Sequence, residues 1–255
     1  MMHVETRGHG PDLVLLHGWA MHGGVLAALA DALADDFRIH VVDLPGHGSS
    51  REETPGGLAI TARRIAERIP PAIWLGWSLG GLVALRAALD VPQRVRGLVL
   101  IAASPRFVRG PDWPDGVPPE VFAQFAEGLD RDYRATIERF LALETLGSPH
   151  AQSELRELRA QVFARGEPAA SVLHEGLATL DATDLRADLA RLESPSLWIA
   201  GRRDRLVSPR AMRRAAELAP HARYLEINAG HAPFLGHADA VATAIREFVH
   251  EVVVP

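Results

Sequence analysis

Ser78 sits in Gly76-Trp77-Ser78-Leu79-Gly80, a G-x-S-x-G stretch between the apolar run AIWLGW and a helical pattern. That setting puts a serine hydroxyl on a sharp strand-to-helix turn, with small neighbours letting the two elements close around it. A hydroxyl is a weak nucleophile until a base takes its proton, and the base needs a carboxylate to orient it. Among twelve histidines, His231 stands out because NAGHAPF lies just past the last strand-like run, with Gly230 to free the turn. His237 falls near the start of the closing helix, and His3, His9, His150 and His250 read as solvent-exposed. The orienting acid is expected on the loop after the preceding strand, where PSLWIAGRRDRLVSP places Asp204. Asp43 also ends a strand but precedes the serine, which suits a role in its own turn. Asp181, Asp184 and Asp188 are weaker candidates. Ser78, Asp204 and His231 then follow in the order serine, acid, histidine.

Such a set would perform acyl transfer, which also needs two backbone amides aimed at the developing oxyanion. The first is expected from Leu79, the residue after the serine. The second is expected from Trp19 in LLHGWAMHGG, with Gly18 allowing the turn and His17 bracing the loop.

These residues need a scaffold that brings four loops to one edge. DLVLLHG, RIHVVDLPG, AIWLGW, VRGLVLIAAS, SPSLWIAGRRD and ARYLEINAGH are near-continuous apolar runs ended by turn residues. Continuous rather than alternating apolarity suits parallel strands covered on both faces. Helical patterns alternate with them, which predicts an α/β protein with a doubly wound, mostly parallel sheet. Between about Pro105 and Leu185 the texture changes. A Pro-rich loop, RGPDWPDGVPPE, precedes the amphipathic segments EVFAQFAEGL, YRATIERFLALETLG, SELRELRAQVFARG and AASVLHEGLATL. The expectation is a core of 1–104 and 186–255 carrying an inserted helical cap over 105–185, with ADAVATAIREFVHEVV as the closing helix.

Composition narrows the function classes. The chain has 255 residues, a formal charge of −5 and no cysteine. The charge argues against nucleic-acid binding, and disulfides and thiolate chemistry are ruled out. All 27 basic residues are arginine. No metal-ligand spacing, Walker A or dinucleotide fingerprint occurs, so neither metal nor cofactor is expected. The polar start MMHVETRGHG and the lack of a bilayer-length apolar run imply no membrane association and a cytoplasmic location.

LVLLHGW, VVDLPGHGSS, AIWLGWSLGGLVA, ERFLALETLG and HAPF together resemble the α/β-hydrolase superfamily across the whole chain. WLGWSLGGLVA and ERFLALETLG are particular to one branch, the pimeloyl-[acyl-carrier protein] methyl ester esterases of biotin synthesis. The resemblance implies a Ser78–Asp204–His231 triad, with Trp19 and Leu79 lining the site. It also implies that Phe140, Leu141, Ala142, Leu143 and Glu144 wall the acyl channel. Members bind an acidic acyl-carrier protein through cap arginines, which fall here on Arg139 and Arg156. Two further family arginines correspond to Ala135 and Gln152, with Arg134 and Arg159 close by. The family's glutamine at the end of the RFLAL run is here Glu144. From Arg134 to Arg165, five arginines face Glu138, Glu144, Glu154 and Glu157, so the segment is locally positive. Two other functions fit the same residues: a short-chain carboxylesterase acting on small esters without carrier preference, and a non-catalytic binding protein of the same fold.

Overall fold

The computed structural model describes residues 1–252. Seven strands form one sheet: β1 (Val4–Arg7), β2 (Asp12–Leu16), β3 (Arg38–Val42), β4 (Ala72–Trp77), β5 (Val95–Ile101), β6 (Ser196–Gly201) and β7 (Ala222–Ile227). Their spatial order is β1-β3-β2-β4-β5-β6-β7. The β1–β3 pair is antiparallel and the other five pairs are parallel. Every residue of β4 and β6 is buried, as expected for inner strands covered on both faces. β1 is the strand that the apolar runs do not announce. VETR is short and mostly half-buried, and it pairs only at the sheet edge.

In the first part of the chain the helices are α1 (Ala27–Leu33), α2 (Gly57–Arg68) and α3 (Leu79–Asp90). Between β5 and β6 come α4 (Pro119–Arg131), α5 (Tyr133–Thr145), α6 (Ala151–Val162) and α7 (Ala170–Ala182). These match the four amphipathic segments of the sequence. Proline at the start of α4 and the Asp132 carboxylate capping the Ala135 amide of α5 fix where two of them begin. The chain closes through α8 (Pro209–Leu218), α9 (Pro233–Gly236) and α10 (Ala238–Val252). Val253, the last residue expected in the closing helix, and the rest of 186–255 beyond it lie outside the described residues. α1 packs with α10, α2 with α3, and α8 against β6 and β7, so helices flank the sheet. α4 packs on α5 and α7, and α5 on α6. Arg186 and Arg214 each stack on Trp113, at 5.2 and 4.9 Å from the ring, and so tie the 105–118 loop to the following core. Among the described residues no helix is long and apolar enough to cross a membrane.

Candidate active site

Four parallel strands deliver the site at their C-terminal ends. β4 ends at Trp77, and Ser78 follows with φ 53° and ψ −118° before α3 begins. An L-residue keeps that backbone only where its surroundings over-determine it. The glycines provide those surroundings. A Cβ on Gly76 would strike the Gly80 carbonyl, and one on Gly80 would lie 2.5 Å from the Leu16 and His17 carbonyl oxygens. The Ser78 amide is held by the Ile101 carbonyl at 3.0 Å.

Asp204 lies three residues past β6, and its Oδ1 accepts the Leu206 and Val207 amides at 2.7 and 2.9 Å. His231 follows β7. Its Nδ1 lies 2.8 Å from Asp204 Oδ2, and its Nε2 lies 2.9 Å from Ser78 Oγ. An ionised carboxylate can only accept, so Nδ1 carries the proton and Nε2 is left to accept the Ser78 hydroxyl. All three residues are buried: Ser78 is 4% exposed, Asp204 6% and His231 0%. Trp77 Nε1 donates to the His231 carbonyl at 2.9 Å, and Phe234 packs edge-on against Trp77. The imidazole is therefore held from both its ring and its backbone.

The amides of Trp19 and Leu79 donate to no other protein group among the described residues, and both side chains are buried. His17 braces the Trp19 loop. Its Nε2 accepts the Leu44 amide at 2.9 Å, so the Nδ1 proton goes to the Gly18 carbonyl at 2.8 Å. Burial, then the nearby His47, pushes the His17 pKa down to about 3, so the ring stays neutral and rigidly bonded. Two glycines act differently from the sequence expectation. Gly18 has no left-handed backbone, and the left-handed residue in this loop is Ala20, at φ 63°. What Gly18 provides is room, because a Cβ there would meet the Trp77 ring at 3.1 Å and Ser78 Cβ at 3.3 Å. Gly230 likewise provides close approach: a Cβ would lie 2.8 Å from the Glu144 carbonyl, which accepts the His231 amide at 2.9 Å.

Asp43 serves its own turns, with the Gly23 amide on Oδ1 at 2.6 Å and the Ser49 amide on Oδ2 at 2.8 Å. Asp184 pairs with Arg106 and Arg186, Asp188 pairs with Arg191, and Asp181 is exposed. His150 and His250 are exposed as expected, whereas His3 is half-buried.

Three of the helices between β5 and β6 cover Trp19, two through side chains and α7 through its backbone. Phe140 on α5 meets the indole edge-on at 4.6 Å, Phe125 on α4 packs against both rings, and Trp19 Nε1 donates to the Leu173 carbonyl on α7 at 2.9 Å. Gly176 on α7 sits so close that a Cβ would meet the indole at 2.6 Å. Phe125, Leu173 and Gly176 are additions to the sequence reading. Apolar spacing marks Phe125 as inward-facing but says nothing about which inward face meets the cleft. The run from Phe140 to Glu144 cannot line one wall in full, because successive helical residues turn by about 100°. Phe140, Leu141 and Glu144 are buried, Leu143 is half-buried, and Ala142 is exposed.

Glu144 is the unusual member. It is 1% exposed, and neither carboxyl oxygen has a hydrogen-bond partner among the described residues. Burial, reinforced by the Asp204 carboxylate, raises its pKa well above the usual carboxylate value. It is not part of the exposed cap surface. Arg139 and Arg156 are exposed and have no carboxylate partner among the described residues. Arg134 is paired with Glu167, and Arg159 with Glu138 at 2.6 Å.

This geometry can carry a proton from a serine hydroxyl to a buried, carboxylate-oriented imidazole, with two free amides beside it. Residues 11–238 match the model of the alpha/beta hydrolase fold family. A pimeloyl-[acyl-carrier protein] methyl ester esterase of Xanthomonas oryzae pv. oryzae is 60% identical over 98% of this chain and 100% of its own. One of Xanthomonas campestris pv. campestris is 61% identical over 97% of this chain and 98% of its own. Among solved structures, a thermophilic esterase from Thermogutta terrifontis superposes with a TM-score of 0.84 at 24% identity, covering 99% of this chain and 94% of that one.

Proposed function

The chain belongs to the α/β-hydrolase family, in the branch of the pimeloyl-[acyl-carrier protein] methyl ester esterases, and we propose that it hydrolyses the methyl ester of pimeloyl-acyl-carrier protein in biotin synthesis. It is a carboxylic ester hydrolase. The observation that carries the chemistry is the unbroken relay from Ser78 Oγ through His231 to Asp204, at 2.9 and 2.8 Å.

Ser78 Oγ attacks the ester carbonyl carbon as its proton passes to His231 Nε2. Asp204 holds the Nδ1–H tautomer and stabilises the imidazolium. The tetrahedral oxyanion is bound by the Trp19 and Leu79 amides, each such donor being worth about 3–4 kcal/mol. His231 returns the proton to the departing methoxy oxygen, which leaves as methanol. Water, deprotonated by the same Nε2, attacks the acyl-serine; His231 then returns that proton to Ser78 Oγ as the acyl–oxygen bond breaks and the free carboxylate departs. No metal or cofactor enters this scheme.

The carrier assignment rests on the named relatives and on the cap. Arg139 and Arg156 are the implied docking cations and are free to meet an acidic partner, whereas their neighbours Arg134 and Arg159 are neutralised by pairing. Glu144 is buried and so does not face a partner docked on the cap surface. Electrostatics of this kind chiefly raises the encounter rate. Three of the four cap helices, α4, α5 and α7, enclose Trp19, and Arg139 lies on one of them, so docking and acyl binding share one scaffold.

Turnover of a carrier-bound methyl ester beside a small aryl ester tests the proposal. Ser78→Ala should lower kcat for both by about 10⁶. Arg139→Glu with Arg156→Glu should cut kcat/KM for the carrier-bound ester by about tenfold or more, leaving the aryl ester unchanged. Equal efficiency on both substrates in the wild type would instead make this a general carboxylesterase.

A further inference from the structure

A cavity of about 760 Å³ is lined by the loop that carries Asp204. Of the triad only Asp204 lines it, and none of Ser78, His231, Trp19, Leu79 or Phe140 does. Five arginines do: Arg109, Arg202, Arg203, Arg205 and Arg210. Its two acidic residues are both engaged elsewhere. The Asp204 carboxylate faces His231, and Asp115 lies 3.7 Å from Arg214.

Most of these guanidinium groups lack a counter-charge. Arg205 and Arg210 make no side-chain hydrogen bond or ion pair among the described residues. Arg109 donates to the Gly116 carbonyl at 3.3 Å, and Arg203 donates to Asn228 Oδ1 and the Gly147 carbonyl at 3.0 and 3.2 Å. Arg202 pairs with Glu226 at 3.7 Å, but shares that carboxylate with Arg213, which lies closer at 2.8 Å. The contrast with the next turn of α8 is informative: Arg213 and Arg214 both have acidic partners. The N-terminal end of the ten-residue α8 also opens on this cavity through Ser208, Pro209 and Arg210, adding its positive dipole end.

We propose that this cavity is a binding site for a small diphosphate-bearing anion. Guanidinium forks match phosphate oxygens two at a time, and their weak hydration makes them the preferred partners of such groups. One phosphate would satisfy two of the five arginines, whereas a diphosphate spans enough oxygens to engage most of them. The volume falls in the range of ordinary small-molecule sites. Arg203 and Arg205 flank Asp204 in sequence, and the Leu206 and Val207 amides of the same loop hold its carboxylate. A ligand bound here would therefore rest against the loop that carries the triad acid, without entering the substrate cleft.

Calorimetric titration of the full chain with inorganic pyrophosphate, beside inorganic phosphate, at about 0.15 M salt tests this. The expected result is saturable 1:1 binding of pyrophosphate, at least about tenfold tighter than phosphate. Arg205→Ser with Arg210→Ser should weaken it by at least about tenfold while leaving aryl-ester turnover intact, and Arg109→Ser alone should weaken it less. No saturable binding, equal binding of the two anions, or an unchanged affinity in the variants would overturn the proposal. So would a double variant that slows turnover of a carrier-bound ester when pyrophosphate does not bind the wild type, because the patch would then be a protein contact.

Discussion

Asp204 and Glu144 are two carboxylates buried beside the same histidine, and they are treated in opposite ways. Asp204 accepts two loop amides and the His231 Nδ1–H, so its negative charge is fully compensated without solvent. Glu144 contributes only its backbone carbonyl to His231, and its carboxyl has no partner among the described residues. A charge in such a place costs far more than a neutral acid, so burial, then the Asp204 carboxylate, raises its pKa well above the usual carboxylate value. Glu154, on α6, stands between them: it is also buried, but Ser148 Oγ donates to its Oε1 at 2.7 Å. Its pKa is raised by burial, with Ser148 pulling the other way. Three buried acids with three, one and no hydrogen bonds thus form a graded series. Hydrogen bonds set how well each buried carboxyl group is compensated.

The strongest way to break the comparison is to remove the charge from Asp204 while keeping its shape. Asp204→Asn should lower kcat on an aryl ester by about 10⁴. Its amide would favour the wrong imidazole tautomer, with a proton on Nε2 facing Ser78. A loss below about tenfold would mean that His231 orientation comes mainly from Trp77 and the Glu144 carbonyl, and that the Asp204 charge is incidental.

The next step moves Glu154 toward the state of Glu144. Ser148→Ala deletes its one hydrogen bond and leaves a buried carboxyl unpaired, which should cost about 1–3 kcal/mol of stability. In a chain of this size that is a fall in Tm of roughly 2–4 °C per kcal/mol. A thermal melt that does not move would show that Glu154 already finds a partner in water.

These contrasts divide what the sequence reveals from what it conceals. Ser78, Asp204 and His231 were legible because each follows an apolar strand in a fixed order, and strand ends are where a parallel sheet presents side chains. The four cap segments were legible from amphipathic spacing. β1 was not, because VETR at a sheet edge needs only one covered face. Glu144 reads in sequence as a charge on a cap helix. Its burial depends on α5 ending against the His231 loop, a tertiary contact that periodicity cannot report. For the same reason Gly18 and Gly230 suggested free turns, when what they supply is space for Trp77 and for a carbonyl.

The subtlest expected effect is the pH signature of Glu144. Its folded pKa lies above the unfolded value, so the folded chain binds this proton more tightly than the unfolded one. For an acid shifted that way, stability is greatest below the unfolded pKa and declines as pH rises towards the folded pKa. Glu144→Gln keeps the shape, removes the titration and leaves kcat near the wild-type value at neutral pH. The stability of the wild type relative to this variant should therefore fall with rising pH from about 4.5 upward, at up to about 1.4 kcal/mol per pH unit. Chemical denaturation of both proteins across that range reads the slope directly. A difference that stays flat would mean that Glu144 is ionised in the folded protein, with a hidden partner supplying what Leu206 and Val207 supply to Asp204. The contrast between the two carboxylates would then disappear.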